Sequence, residues 1–356
     1  MRFCDEIIEY VIQRRAKMRN DKLWKVTSFI LFSSSLLCGC WNTNQKDTIH
    51  SEMVTNSTET SIEESIEEIT EASTEGIIRS LNKNGNHNDE NSSKNETNIS
   101  VSNKIESKKI HFQKNFPYAS NSKINSGKAI LYKNPKGNGH TVCINAGHGT
   151  KGGENQKNLC HPDGSPKVTG GSTAEGSTYA TAIANGMTFH DGTPEATITL
   201  KLAKLVKEQL LDAGYNVLMI REDEDVQLDN IARTVLANEY ADCHIAIHWD
   251  SSDTDKGAFY ISVPEGKYRN MEPVKSHWKK HEQLGNALIN GLKTKDIKIY
   301  GQGSMPIDLT QTSYSTIPSV DLEMGDKGSD ISDKALKNMA TGILIGIHSF
   351  FSEYNS

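Results

Sequence analysis

Val142-Cys143-Ile144-Asn145-Ala146-Gly147-His148 is the stretch whose reading decides the fold. Its β-branched start favours a strand, and the small residue, glycine and histidine that close it take the backbone out of the strand in a tight turn. The turn leaves an imidazole at the strand's carboxyl end, where open α/β sheets gather their ligands. Taken alone, a histidine after a glycine is an ordinary loop residue. The elements on either side decide whether it is more.

Downstream, strand and helix patterns alternate. Thr193 reads as the N-cap of a helix with Pro194 at its first position and Ile198, Leu202, Leu205, Val206 and Leu210 along one face, stopping at Gly214. Tyr215 to Ile220 reads as a strand, and Leu228, Ile231, Ala232, Val235 and Leu236 mark a second helix. Cys243 to Trp249 and Ala258 to Val263 are two further strands. Trp278, His281, Leu284, Leu288 and Leu292 define a third helix, Ile317 to Glu323 a last strand, and Ile331 to Phe351 a closing helix. Strands interleaved with helices predict an α/β fold, a single domain with a largely parallel or mixed central sheet covered by helices on both faces. The stretch from Gly149 to Pro194, rich in Gly, Ser and Thr, is far longer than most connections and reads as a functional inserted loop or a disordered one.

Upstream the composition changes twice. Arg14, Arg15, Lys17, Arg19, Lys22 and Lys25 precede the apolar run Val26 to Leu37, too short and serine-rich to span a bilayer and suited to an export signal. The long stretch before it makes Met18 a candidate start. Leu37-Cys38-Gly39-Cys40 resembles the bacterial lipobox, which implies a signal peptide over residues 1–39 and acylation of Cys40. Two acyl chains there would hold the protein on a membrane, each buried methylene contributing about 0.8 kcal/mol. Residues 40–110, rich in Ser, Thr, Asn, Glu and Lys with the repeat Ser61-Ile-Glu-Glu-Ser-Ile-Glu-Glu68, bury too little apolar surface to fold and read as a disordered tether or, as the alternative, an acidic interaction tail. The folded domain is expected over 111–356, with its core from about residue 141.

A net charge of −6 argues against nucleic acid as a partner, and six cysteines over 356 residues do not form a disulfide framework. Cys143 and Cys243 read as buried strand thiols.

The chemistry is sharpest around the histidines. His244 and His248 sit four apart, but their isoleucine neighbours make the segment a strand, on which they lie about 13 Å apart and do not share one ion. His248, at the strand's end, is the candidate ligand and His244 a buried or edge residue. His277 and His281 share a helix face and read as packing. Glu195, an acidic residue in a helix's first turn, has an ordinary role beside the macrodipole, yet it follows the long loop and opens the helix after the His148 strand, so it reaches the same crevice.

Ile144-Asn-Ala-Gly-His148, then Glu195 opening a helix, then Ile245-Ala-Ile-His248, then Pro318-Ser-Val-Asp-Leu-Glu-Met-Gly325 resemble, in that order, the zinc-dependent N-acetylmuramoyl-L-alanine amidases of the third amidase family. The resemblance runs from about Thr141 to Phe351 and takes in Arg221 and the segment Arg233 to Asn238. It implies one zinc per chain held by His148, Glu195 and His248, a water in the remaining position, and Glu323 as the group that takes its proton and passes it to the departing amine. The implied substrate is peptidoglycan, cut between the lactyl group of N-acetylmuramic acid and L-alanine, and the implied location is the outer face of the cytoplasmic membrane. Three places depart from the pattern: Trp249-Asp250 after the histidine, the tail after Gly325, and Asp321 where an apolar residue is usual. Asp321 shares a strand face with Glu323 and is either an alternative base or a partner that orients a ligand. Another zinc peptidase or deacetylase acting on the cell wall, and a non-catalytic cell-wall-binding lipoprotein, are the competing readings.

Overall fold

The computed structural model of the chain describes residues 104–354. The export signal, Cys40 and nearly all of the expected tether lie outside the described residues. In chain order the main elements are β1 (Glu106–His111), β2 (Lys128–Lys133), β3 (Thr141–Ala146), β4 (Lys157–Leu159), β5 (Tyr179–Thr181), α1 (Glu195–Asp212), β6 (Asn216–Met219), α2 (Asn230–Tyr240), β7 (Cys243–His248), β8 (Ala258–Ser262), α3 (Val274–Lys293), β9 (Ile299–Pro306), α4 (Thr310–Tyr314), β10 (Ser319–Glu323) and α5 (Asp333–Tyr354).

Eight of these strands form one sheet in the order β1-β2-β6-β3-β7-β10-β8-β9. The centre is parallel, with β3 between β6 and β7 and β10 beyond β7. The flanks turn antiparallel where β1, β2 and β6 meet and where β10 meets β8. The sheet is therefore mixed and covered on both faces, as the alternation of elements predicted. Strand periodicity sorts the side chains: Val142, Ile144 and Ala146 of β3, Ile245 and Ile247 of β7, and Val320 and Leu322 of β10 pack beneath α1, α3 and α5, whereas Cys143 and Leu218 face α2. In α1, Ile198, Leu202, Val206 and Leu210 are buried along one stripe, each stabilising the fold by about 1.5–3 kcal/mol relative to exposure. Helices α3 and α5 approach closely enough that a Cβ on Gly291 would lie 2.2 Å from the Gly342 carbonyl oxygen. Only glycine permits that crossing.

Two expectations about this architecture need correction. The domain starts before residue 111: β1 begins at Glu106 and pairs along its whole length with β2, so a boundary at 110 cuts through a strand. Only Ile110 of β1 is buried, and a polar edge strand with one inward residue carries almost no periodic signal. Strand β9, glycine-rich and parallel to β8, was equally hidden from the pattern. The cap of α1 is Pro194, in extended conformation, and Glu195 is the first helical residue. Thr193 is occupied by the preceding turn, where its N–H donates to Asp191 Oδ1 and its carbonyl accepts from Phe189 N–H.

Residues 149–194 are ordered. They carry the small β4–β5 hairpin and are fixed to the body by Asp308, which lies in the stretch after β9 and is 1 % exposed. Its carboxylate accepts from Lys167 Nζ at 2.9 Å and Val168 N–H at 2.6 Å, holds the Thr169 hydroxyl, and lies 3.1 Å from His161 Nε2. These donors hold the Asp308 carboxyl below the usual carboxylate range against the upward push of burial. Among the described residues no helix is long and apolar enough to cross a membrane.

Candidate metal centre

The carboxyl ends of β3, β7 and β10 open on one crevice. At the end of β3 the chain turns with Gly147 against the His248 ring and His148 in the left-handed region, φ 61°, a conformation that a β-substituted residue holds only where its surroundings enforce it. Two buried arginines do so. The inward carbonyls of the turn need donors, and Arg233 supplies Nη1 to Ala146 at 3.0 Å and Nη2 to His148 at 2.6 Å, while Arg221 supplies Nη2 to Gly147 at 3.0 Å. Arg233 also binds the Asn145 side chain and Thr150 Oγ1. Burial lowers Arg221 to about 10 and Arg233 to about 9, so both remain cations at neutral pH.

The turn brings His148 against Glu195 and His248. His148 Nε2 lies 2.8 Å from Glu195 Oε1 and 3.0 Å from His248 Nδ1, and His248 Nδ1 lies 3.2 Å from Glu195 Oε1. The three donor atoms fall within 4.8 Å of one another and form the one group of three or more such ligands among the described residues. His148 Nδ1 is 2.7 Å from the Ala184 carbonyl oxygen. A carbonyl only accepts, so the proton sits on Nδ1 and the lone pair of Nε2 points into the trio. Glu195 is oriented by two backbone donors, Met187 N–H to Oε2 at 2.9 Å and Trp249 N–H to Oε1 at 3.0 Å.

Burial would raise the Glu195 carboxyl, but its hydrogen bonds to His148 and His248 hold it far below the usual range. For His248, burial would favour the neutral ring, yet Asp321, Glu195 and Glu323 raise it to about 10. Asp321 and Glu323 are pushed up, first by burial and, for Glu323, by Asp321 beside it. The crevice therefore concentrates carboxylates around two imidazoles and favours positive charge between them. A divalent cation seated among His148, Glu195 and His248 meets that preference with both rings neutral. Two nitrogens and one carboxylate oxygen suit zinc, and three protein ligands leave a position open, as catalytic zinc sites do.

Glu323 ends β10 directly opposite His248 in the parallel register, and Asp321 pairs with Ala246 two residues further back. Glu323 Oε2 and Asp321 Oδ1 are buried without a hydrogen-bond partner in the described structure, a costly arrangement for atoms with no task. The histidines set aside as ligands are elsewhere: His244 is fully buried beside Ser319, and His281 accepts the Ser319 N–H at 2.9 Å. Cys143, Cys160 and Cys243 are free buried thiols. Trp249 is buried edge-on against Phe189 of the insertion, centroids 5.8 Å apart. Asp250 pairs with Lys256, which lies 3.5 Å from the buried Asp326.

The backbone supports supplied by Ala184 and Met187, and the fit of Gly186 between His148 and Glu195, escaped the sequence reading. A Cβ on Gly186 would stand 2.7 Å from His148 Cδ2 and 2.8 Å from Glu195 Oε2 at φ +87°. Backbone donors and acceptors carry no residue signature; the one usable sign was the Asn185-Gly186 turn dipeptide in the chain leading to the Glu195 helix.

A sequence model of the family described as N-acetylmuramoyl-L-alanine amidase matches residues 142–348. Among solved structures, the N-acetylmuramyl-L-alanine amidase Ami1 of Mycobacterium smegmatis is similar at 20 % identity and a TM-score of 0.47, covering 60 % of this chain and 98 % of its own. AmiC2 of Nostoc punctiforme matches at 18 % identity and a TM-score of 0.44, covering 61 % and 99 %. An N-acetylmuramoyl-L-alanine amidase of Clostridium difficile 630 matches at 17 % and 0.44, covering 60 % and 98 %. No curated protein matches the chain.

Proposed function

This chain belongs to the N-acetylmuramoyl-L-alanine amidase family, and from that premise we propose that its peptidoglycan amidase activity runs on zinc held by His148 Nε2, Glu195 and His248 Nδ1, with Glu323 as the proton carrier. The activity itself is hydrolysis of the amide between N-acetylmuramic acid and the L-alanine of the stem peptide. The observation that carries the reading of the site is the convergence of the three donor atoms within 4.8 Å beside Glu323, whose Oε2 is buried with no hydrogen-bond partner among the described residues.

Zinc, when bound there, supplies a Lewis acid that polarises the scissile carbonyl and acidifies a water. The remaining work belongs to the chain. Glu323 stands at the mouth of the crevice in register with His248; its carboxylate takes a proton from the attacking water and returns it to the alanine nitrogen as the amide breaks. Burial and Asp321 raise its affinity for that proton, which suits a group that must first hold it and then give it up. Arg221 and Arg233 keep the His148 turn rigid, and the insertion walls the ligands from one side.

Outside the described residues, the lipobox-like Leu37-Cys38-Gly39-Cys40 supports acylation of Cys40 and residence on the outer face of the cytoplasmic membrane. The catalytic reading is tested by digesting purified peptidoglycan and identifying products by mass spectrometry, alongside zinc analysis. The wild-type chain should free stem peptides with L-alanine amino termini and carry one zinc. Glu323→Ala should keep zinc and lose on the order of 10²–10⁴ in turnover. Cleavage at another bond, or an active Glu323→Ala protein, would overturn it.

A further inference from the structure

Two of the three candidate ligands are held from behind. His148 gives its second ring nitrogen to the Ala184 carbonyl at 2.7 Å, and Glu195 takes backbone N–H groups on both oxygens at 2.9 and 3.0 Å. His248 presents Nδ1 to the other ligands, and the group facing its second nitrogen, Nε2, is Asp321, whose Oδ2 lies 4.0 Å away. Asp321 Oδ1 is buried with no hydrogen-bond partner in the described structure. Strand alternation puts Asp321 on the same sheet face as Glu323 and His248, but its register partner is Ala246. It therefore stands on the sheet side of the His248 ring, away from the crevice mouth that Glu323 occupies.

We propose that Asp321 is the positioning residue of His248: its carboxylate accepts the Nε2–H of the ring, and so fixes the tautomer that leaves Nδ1 free as the ligand atom. This rests on the zinc reading above. A separation of 4.0 Å exceeds a hydrogen bond, and closing it takes about 1 Å of side-chain adjustment. A carboxylate behind a metal-bound imidazole orients the ring and strengthens it as a donor, and loss of such a partner typically weakens metal affinity about 10-fold to 100-fold. The inference separates the two carboxylates of β10 by task. Asp321 holds a ligand and Glu323 moves protons.

The test measures zinc affinity rather than turnover. Zinc dissociation constants of the purified full chain are read by competition with a chromophoric chelator for wild type, Asp321→Asn, Asp321→Ala and Glu323→Ala, and the thermal midpoint of each is taken with and without zinc. Asp321→Ala should bind zinc about 10-fold to 100-fold more weakly, and Asp321→Asn, which keeps the side-chain shape and a neutral acceptor, should fall between it and wild type. Glu323→Ala should stay within about threefold of wild type. The zinc-induced rise in thermal midpoint should shrink in both Asp321 variants in step with their weaker zinc affinity. Wild-type affinity in both Asp321 variants overturns the positioning role alone. Failure of the wild-type chain to bind zinc overturns the metal reading and this inference with it.

Discussion

Two histidines far from the catalytic crevice should make this fold acid-sensitive. His244 and His281 are buried on either side of Ser319, with His281 Nδ1 accepting the Ser319 N–H at 2.9 Å and His244 Nδ1 3.3 Å from Ser319 Oγ. Burial first, and then Arg233 near His244 and His277 near His281, lower both from 6.5 to about 3. Well above pH 6.5 both rings are neutral, folded or unfolded, and contribute no pH dependence. Below 6.5 the unfolded chain binds protons that the folded chain refuses, so stability falls until the pH nears 3. At pH 5.0 each ring should cost about 2 kcal/mol, and the pair about 4 kcal/mol. That is a large part of the roughly 5–15 kcal/mol that stabilises an ordinary domain. Urea unfolding of metal-stripped protein at pH 7.5 and 5.0 measures the drop directly. His244→Asn and His281→Asn remove the titrating ring, so each should shrink the drop by about 2 kcal/mol whatever its stability at pH 7.5. If both variants lose as much between the two pH values as wild type, the buried neutral state assigned to these rings is wrong.

Gly186→Ala places a methyl group 2.7 Å from His148 and 2.8 Å from Glu195 at φ +87°; zinc content should fall below about a tenth of wild type by metal analysis, while far-ultraviolet circular dichroism is unchanged. A chain beginning at residue 104 should unfold cooperatively, and one beginning at 111, which lacks the buried Ile110 of β1, should be less stable by about 1.5–3 kcal/mol in urea; equal stability of the two would show that β1 contributes nothing. Cys40→Ala should shift the protein from the detergent phase to the aqueous phase on partitioning, because one covalent acyl chain is only marginal and none is no anchor; unchanged partitioning would refute the lipid attachment.

The parallel centre of the sheet was legible because its strands are buried on both faces and read as near-continuous apolar runs, Val142 to Ala146 broken only by Asn145 and Cys243 to Ile247 only by His244. The candidate ligands were legible for a related reason, since each ends or begins such an element and the chemistry of histidine and glutamate at those ends is narrow. What stayed hidden lacks a side-chain period. Strand β1 is exposed at five of its six positions, and β9 interrupts its pattern with Gly301 and Gly303. Thr193 looked like a cap because its hydroxyl suits one, but the turn closed by Asp191 had already engaged its backbone.

The insertion shows where the remaining information lay. Its length suggested either a functional cover or disorder, and composition does not separate the two, because glycine and serine serve tight turns as readily as mobile chain. The decision rests on one residue outside it. Asp308 gathers Lys167, Val168 and Thr169, three consecutive residues, and these donors lie 139 to 141 positions away in sequence, beyond any local pattern. From that anchor the β4–β5 hairpin folds back, Ala182 N–H bonds Gln156 and Asn230 N–H bonds Ala182, and the next residues deliver Ala184, Gly186 and Met187 to the ligands. Trp249, bulky where the resemblance led to a small residue, is buried against Phe189 of the same segment. The departure beside His248 and the long insertion are thus two sides of one packed wall, which orients His148 and Glu195 from the side opposite the sheet.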